Sequence, residues 1–156
     1  MAWPPHITVA TIVKDADRYL MVEEWSAGTL VLNQPAGHLE PNETLLAAAL
    51  RETLEETAWQ VQLTSLTGIY HYYAPKSHIT YHRLTFAAAP VHLTGAALDP
   101  DIHSVQWLTL DAIRQRSLRS PLVLQCIEDY EAGQAVSLDF IKHLNLQIQD
   151  AQSSPC

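Results

Sequence analysis

Cysteine is nearly absent from this chain: 156 residues hold two, Cys126 inside an apolar run and Cys156 at the end. Neither spacing suits a zinc site, and a bridge between a chain end and a core position is unfavoured. Both are therefore read as free thiols, which implies a reducing, cytoplasmic compartment. Bases are also scarce, with 9 Lys and Arg against 17 Asp and Glu for a formal charge of -8, so a broad phosphate-contacting surface for a nucleic acid polymer is not expected. Apolar runs longer than a strand are missing, as is a basic segment followed by an apolar one after Met1, so neither a membrane span nor a secretory signal is expected. Charge itself is sparse at 17%, below the roughly 25% of an average domain, while 47% of residues are apolar, which excludes a disordered chain.

What remains is a globular chain long enough to bury roughly two-thirds of its unfolded surface without a disulfide or a structural metal. No internal repeat and no linker divides it. The expectation is one domain over residues 1–146, with a polar, disordered tail at 147–156.

Periodicity and turn residues give the order of elements. Residues 6–13 (HITVATIV) and 18–24 read as a hairpin of strands around the polar turn Lys14-Asp15-Ala16-Asp17, and residues 29–32 form another short apolar run. A loop rich in turn residues, Asn33-Gln34-Pro35-Ala36-Gly37, continues to Asn42. Residues 43–57 contain no Gly or Pro and are predicted as a helix with Asn42 as its N-cap. Residues 60–73 and 79–89 read as paired strands, 104–108 as a short strand, 110–116 as a short helix and 121–132 as a longer helix opened by Pro121. Strands, a helix, strands and further helices in that order predict an α/β fold, a mixed sheet with helices on its faces.

The acidity is concentrated. From Glu40 to Glu56 there are five carboxylates and one base, Arg51, so 17 residues carry half of the net charge of -8. Glu52, Glu55 and Glu56 are spaced i, i+3 and i+4, within an arc of about 100° on one helix face, so their heads can converge. They also occupy the end of their helix, where backbone carbonyls already present partial negative charge and each acid costs about 0.3–1 kcal/mol. A solvated acidic face explains such spacing on most helices. Here a Gly-containing loop precedes the helix and Arg51 stands beside the triad, an arrangement that becomes favourable when a cation binds. Oxygen-only ligands point to a hard cation, Mg²⁺ or Mn²⁺.

These residues also match a motif. Gly37, five residues, Glu43, seven residues and then Arg51-Glu52-Thr53-Leu54-Glu55-Glu56-Thr57-Ala58-Trp59 resembles the box Gx5Ex7REUxEExGU of the Nudix hydrolases, U being aliphatic. Thr53 and Trp59 replace aliphatic residues, and Ala58 replaces the second Gly, which would strain a left-handed helix cap by about 1 kcal/mol. The resemblance implies the Nudix fold, an α/β/α sandwich around a mixed sheet. It also implies metal-dependent hydrolysis of phosphoanhydride bonds in nucleoside di- and triphosphates, with hydroxymethylpyrimidine diphosphate as a further substrate. By position, Glu52, Glu55, Glu56 and the backbone carbonyl of Gly37 would hold the metal. Arg51 would orient a glutamate, with Glu43 in support.

Independently of the resemblance, a polyphosphate and an acidic patch repel one another unless a divalent cation bridges them. The base that accepts the proton of water is read as Glu52 or Glu55; the resemblance, whose members in some cases use an acid on a distant loop, adds Asp99 and Asp101. Arg83 and Arg119 read equally as phosphate clamps or surface cations. Asn33 and Gln34 read as base-edge contacts or as turn residues, and Tyr70, Tyr72 and Tyr73 as core aromatics before stacking platforms. His38 reads as a loop residue, and Glu23 and Glu24 as a solvated strand end. The partner expected is a small phosphorylated molecule, with monomer and homodimer both open. Two other functions compete: a Nudix-fold module that binds a nucleotide without cleaving it, against which stands the full set of box glutamates, and a prenyl diphosphate isomerase using Cys126.

Overall fold

The computed structural model describes residues 2–147, so all of the expected tail after Gln147, Cys156 included, lies outside them. The strands are β1 (His6–Asp15), β2 (Arg18–Ser26), β3 (Thr29–Asn33), β4 (Ala36–His38), β5 (Trp59–Ala74), β6 (Ile79–Leu93) and β7 (Ile102–Thr109). The helices are α1 (Leu45–Thr57), α2 (Leu110–Arg114) and α3 (Pro121–Glu131), with a 3₁₀ turn at Leu138–Phe140.

Residues 9–13 of β1 are buried without a break, because this strand lies inside the sheet and is covered on both faces. It pairs in parallel with β6, Val9 opposite Leu84, and antiparallel with β4, Val9 opposite Gly37. The predicted hairpin is real only at its turn. β1 and β2 share two register pairs, Lys14 with Tyr19 and Asp15 with Arg18, and then part, β2 running antiparallel between β3 and β7. The paired strands expected from residue 60 onward are present and longer than predicted, β5 and β6 running antiparallel to the sheet edge. The result is the mixed sheet of an α/β sandwich.

Two core clusters explain why helices cover both faces. Val9, Leu66 and Phe86 pack against Ala48 and Ala49 of α1, whose small side chains bring the helix close to the sheet. On the opposite face Ile12, Tyr19, Met21 and Leu32 pack against Ile113 of α2 and Val123, Cys126 and Ile127 of α3.

The start of α1 departs from expectation. Thr44, not Asn42, is the N-cap, its Oγ1 accepting from the Ala47 N–H at 3.0 Å. Asn42 has φ 63, a left-handed turn conformation that Asn tolerates, so the chain enters the helix two residues later. Among the described residues no helix is long and apolar enough to cross a membrane.

Candidate active site

The three strand residues of β4 deliver Gly37 to the flank of α1. The contact is close: a Cβ at Gly37 would fall on the Glu52 carboxylate, so only glycine permits this approach. The N–H of Ala36, one residue earlier, donates to Glu56 Oε2 at 3.1 Å.

Arg51 organises the acidic face. Its Nε and Nη2 donate to the two oxygens of Glu43 at 3.0 and 2.7 Å, a bidentate pair. Nη1 donates to Glu52 Oε1 at 2.7 Å and to Glu55 Oε2 at 3.3 Å, and Nη2 also reaches the His38 carbonyl at 3.1 Å. Hydrogen bonding from Arg51 holds the Glu43 carboxyl below its ordinary range, and the same bonds raise Arg51 above its own. The expected support of Arg51 by Glu43 is thus a direct contact.

The triad lies on one face of α1, but its heads do not meet at a point. Among the described residues no three His, Cys, Asp or Glu side chains are gathered as metal ligands, because Glu52 and Glu55 turn to Arg51 and Glu56 to Ala36. Glu56 is 8% exposed and has no ion pair among the described residues. Burial pushes its carboxyl up to about 9, helped by the neighbouring charges of Glu24, Glu52 and Asp99. Burial likewise raises Glu52. Glu52, Glu55, Glu56 and the Gly37 carbonyl offer oxygen donors only, with Glu56 unpaired by any base among the described residues, a donor set that fits a hard divalent cation.

The exit of α1 brings in a distant segment. Ala58 takes φ 61, ψ 9, and its N–H bonds the Leu54 carbonyl, so the left-handed cap forms on alanine. Thr94 bonds the Ala58 carbonyl through both N–H and Oγ1, and the Asp99 N–H donates to the Glu55 carbonyl at 2.8 Å. Asp99 therefore borders the triad. Asp101 is exposed, and its N–H donates to Asp99 Oδ1 at 2.9 Å. Thr53, a departure from the box, is fully buried with its hydroxyl donating to the Ala49 carbonyl, so the helix itself satisfies it.

Beside Gly37 opens a cavity of about 770 Å³. Asn33, Arg83 and Arg119 line it, as do Tyr72 and His38, which the sequence weighed more lightly. Gln34 does not reach it: the residue is buried, donating to the Val123 carbonyl at 2.6 Å and accepting from Arg83 at 3.0 Å. Tyr70 packs on the core with its hydroxyl on Asp129, and Tyr73 is exposed and bonded to His78. Glu23 and Glu24 are not a solvated edge. Glu23 pairs with Arg116 and accepts from Ser104, while Glu24 lines the cavity. Sequence reasoning missed Thr8 and Tyr81 in the lining; alternation along β6, which puts Tyr81 on the face of Arg83, was the signal available. Cys126 is buried, bonded to Thr85 and raised by burial, the profile of a structural thiol and not a catalytic one.

A profile described as the NUDIX domain matches residues 4–126. The chain is 38% identical to the phosphatase NudJ of Escherichia coli K12 over 143 residues, 90% of this chain and 93% of that protein.

The chain belongs to the Nudix hydrolase family.

A solved Nudix hydrolase from Nitrosomonas europaea is 44% identical and superposes with a TM-score of 0.87, covering 90% of this chain and 97% of the other. The NUDIX domain of Shewanella oneidensis NrtR, solved with ADP ribose, shares the fold at a TM-score of 0.68 with 17% identity, over 85% of this chain and 90% of that one. As a Nudix hydrolase the protein is an enzyme acting on small phosphate-containing substrates, and Nudix hydrolases generally use divalent metal ions.

Proposed function

We propose that the protein hydrolyses phosphoanhydride bonds of nucleoside di- and triphosphates, and of hydroxymethylpyrimidine diphosphate, with Mg²⁺ or Mn²⁺ bound at the exit of α1. The observation that carries the reading is Glu56, a buried carboxyl near Glu52 that accepts from the Ala36 N–H and has no ion pair with a base among the described residues. Glu52, Glu55, Glu56 and the carbonyl of Gly37 would hold the ion, which would supply charge neutralisation at phosphate oxygens and activation of water. Arg51 fixes Glu52 and Glu55 through Nη1, so the carboxylates are oriented before substrate arrives. Glu52, Glu55 or Asp99 takes the proton of the attacking water. Asn33, Arg83 and Arg119 face the substrate from the cavity wall, and Gln34 steadies Arg83 from behind. The cytoplasmic location inferred from the thiols suits such substrates.

A panel of nucleoside diphosphates, triphosphates and pyrimidine diphosphates, with phosphate and pyrophosphate release followed separately in Mg²⁺, tests the proposal. Turnover that stops in excess chelator and falls about 100-fold or more in Glu55→Gln is expected. Tight binding with no turnover of any panel member would instead favour a nucleotide-binding module.

A further inference from the structure

β5 ends the sheet, with β6 on one side and no strand on the other. An edge strand offers unpaired N–H and C=O groups to any other chain, and proteins blunt it with a cover, bulges, proline or charge. The first half of β5 is blunted. Register shifts interrupt its pairing at Gln60/Val61, Leu63/Ser65 and Leu66/Gly68, and on its outer side Leu66 exchanges two backbone hydrogen bonds with Val136, at 2.9 and 2.8 Å. From Ile69 to Ala74 none of these devices is present. The pairing with β6 is regular, from Ile69 opposite Leu84 to Ala74 opposite Ile79, and no strand or bridge lies on the outer side among the described residues. The segment contains no proline and no Asp, Glu, Lys or Arg.

Its side chains are apolar where they meet solvent. Ile69 is 64% and Tyr73 52% exposed, and His71 between them is exposed as well. Alternation puts all three on one face of the sheet, the face on which Leu84 joins the core beneath α1. The charge around them narrows the choice of partner. No Asp or Glu stands between Glu56 and Asp99, where the bases are Lys76 and the buried Arg83. A chain with a formal charge of -8 repels its own copies, and least across a face without acids. The order of side chains is also self-complementary. Antiparallel pairing of two copies about a two-fold axis at His71 sets Ile69 of each against Tyr73 of the partner subunit, a β-branched side chain against an aromatic one.

We propose that the edge of β5 from Ile69 to Ala74 binds a second copy of this chain, the two strands pairing antiparallel about His71 and joining two sheets into one. The backbone supplies the hydrogen bonds, and the two Ile69–Tyr73 pairs supply the apolar contact. The bulges and Val136 stop the pairing short of Leu66, so the interface is small and the dimer is weak, with a dissociation constant on the order of 10 µM. The β5–β6 hairpin also supplies Tyr72, Pro75 and Lys76 to the cavity wall, so pairing along its outer strand holds that wall in place.

Analytical ultracentrifugation of the full chain from about 1 to 100 µM, with hydrogen exchange followed at both ends of the range, tests the proposal. A passage from monomer to dimer is expected, with amides in residues 69–74 exchanging about 5-fold more slowly at the higher concentration. His71→Glu and His71→Lys each set like charges opposite one another at the axis and are expected to stay monomeric. An equimolar mixture of the two variants is expected to dimerise, a recovery that misfolding cannot imitate. Leu50→Lys, on the exposed face of α1, is expected to dimerise as the wild type does. A wild-type monomer at the top of the range, wild-type dimerisation by either His71 variant alone, a mixture that stays monomeric, or loss of the dimer in Leu50→Lys overturns the proposal. Slow exchange at residues 69–74 at every concentration would assign the edge to a segment of the same chain and overturns it as well.

Discussion

Arg51 binds Glu43 with two donors and divides a third between Glu52 and Glu55, so one base sets the geometry of three acids. The same logic operates outside the site. Glu23 is enclosed between Ser104, Gln106 and Arg116, and the Ser104 hydrogen bond together with the Arg116 charge lowers its carboxyl below the ordinary value of 4.5 despite partial burial. A carboxylate with a depressed folded pKa adds stability that is present above the unfolded value and lost as pH falls through the folded one. Glu23→Gln should therefore lower stability by about 1–3 kcal/mol at neutral pH, and the difference should shrink in acid below 4.5. Paired thermal melts across that range check it, and a difference independent of pH would contradict the ion-pair account. None of this was legible in the sequence, because Ser104 reaches Glu23 through the pairing of β2 with β7 and Arg116 reaches it from the segment after α2. The box glutamates and Arg51 were legible because they lie on one helix, where spacing alone fixes which side chains are neighbours.

At the scale of elements, the exit of α1 joins helix chemistry to the site. Ala58 holds a left-handed conformation that a Cβ disfavours, yet it forms the cap, with Thr94 donating to its own carbonyl and the Asp99 N–H to that of Glu55. Ala58→Gly should relieve this strain and raise stability by about 0.5–1 kcal/mol, measured by chemical denaturation, with the fold unchanged. A loss of stability would mean that the Ala58 methyl, which is buried, contributes more through packing than its backbone costs. The strands were readable from alternation, and their partners were not. The turn at Ala16 and Asp17 correctly signalled a reversal between β1 and β2, but local sequence carries no record that β1 then leaves β2 for β6 and β4. That departure places Gly37 against Glu52, so the half of the site supplied by β4 depends on a long-range pairing.

For the molecule as a whole, the sign of the charge is misleading unless its distribution is known. Half of the formal charge of -8 lies between Glu40 and Glu56, in α1 and the loop before it, while Arg83, Arg119 and Lys76 border the adjoining cavity. A phosphorylated substrate thus meets cations on one side and, on the other, carboxylates that need a divalent ion before they can accept it. The most direct test is the rate of phosphate release in Mg²⁺ by Glu56→Gln against the wild type, with thermal melts run alongside. Because Glu56 is buried, its neutral isostere should fold at least as stably as the parent, so lost activity would not reflect lost structure. The account predicts a fall of about 100-fold or more in the folded variant; wild-type turnover by Glu56→Gln, or turnover by either protein in excess chelator, would contradict it.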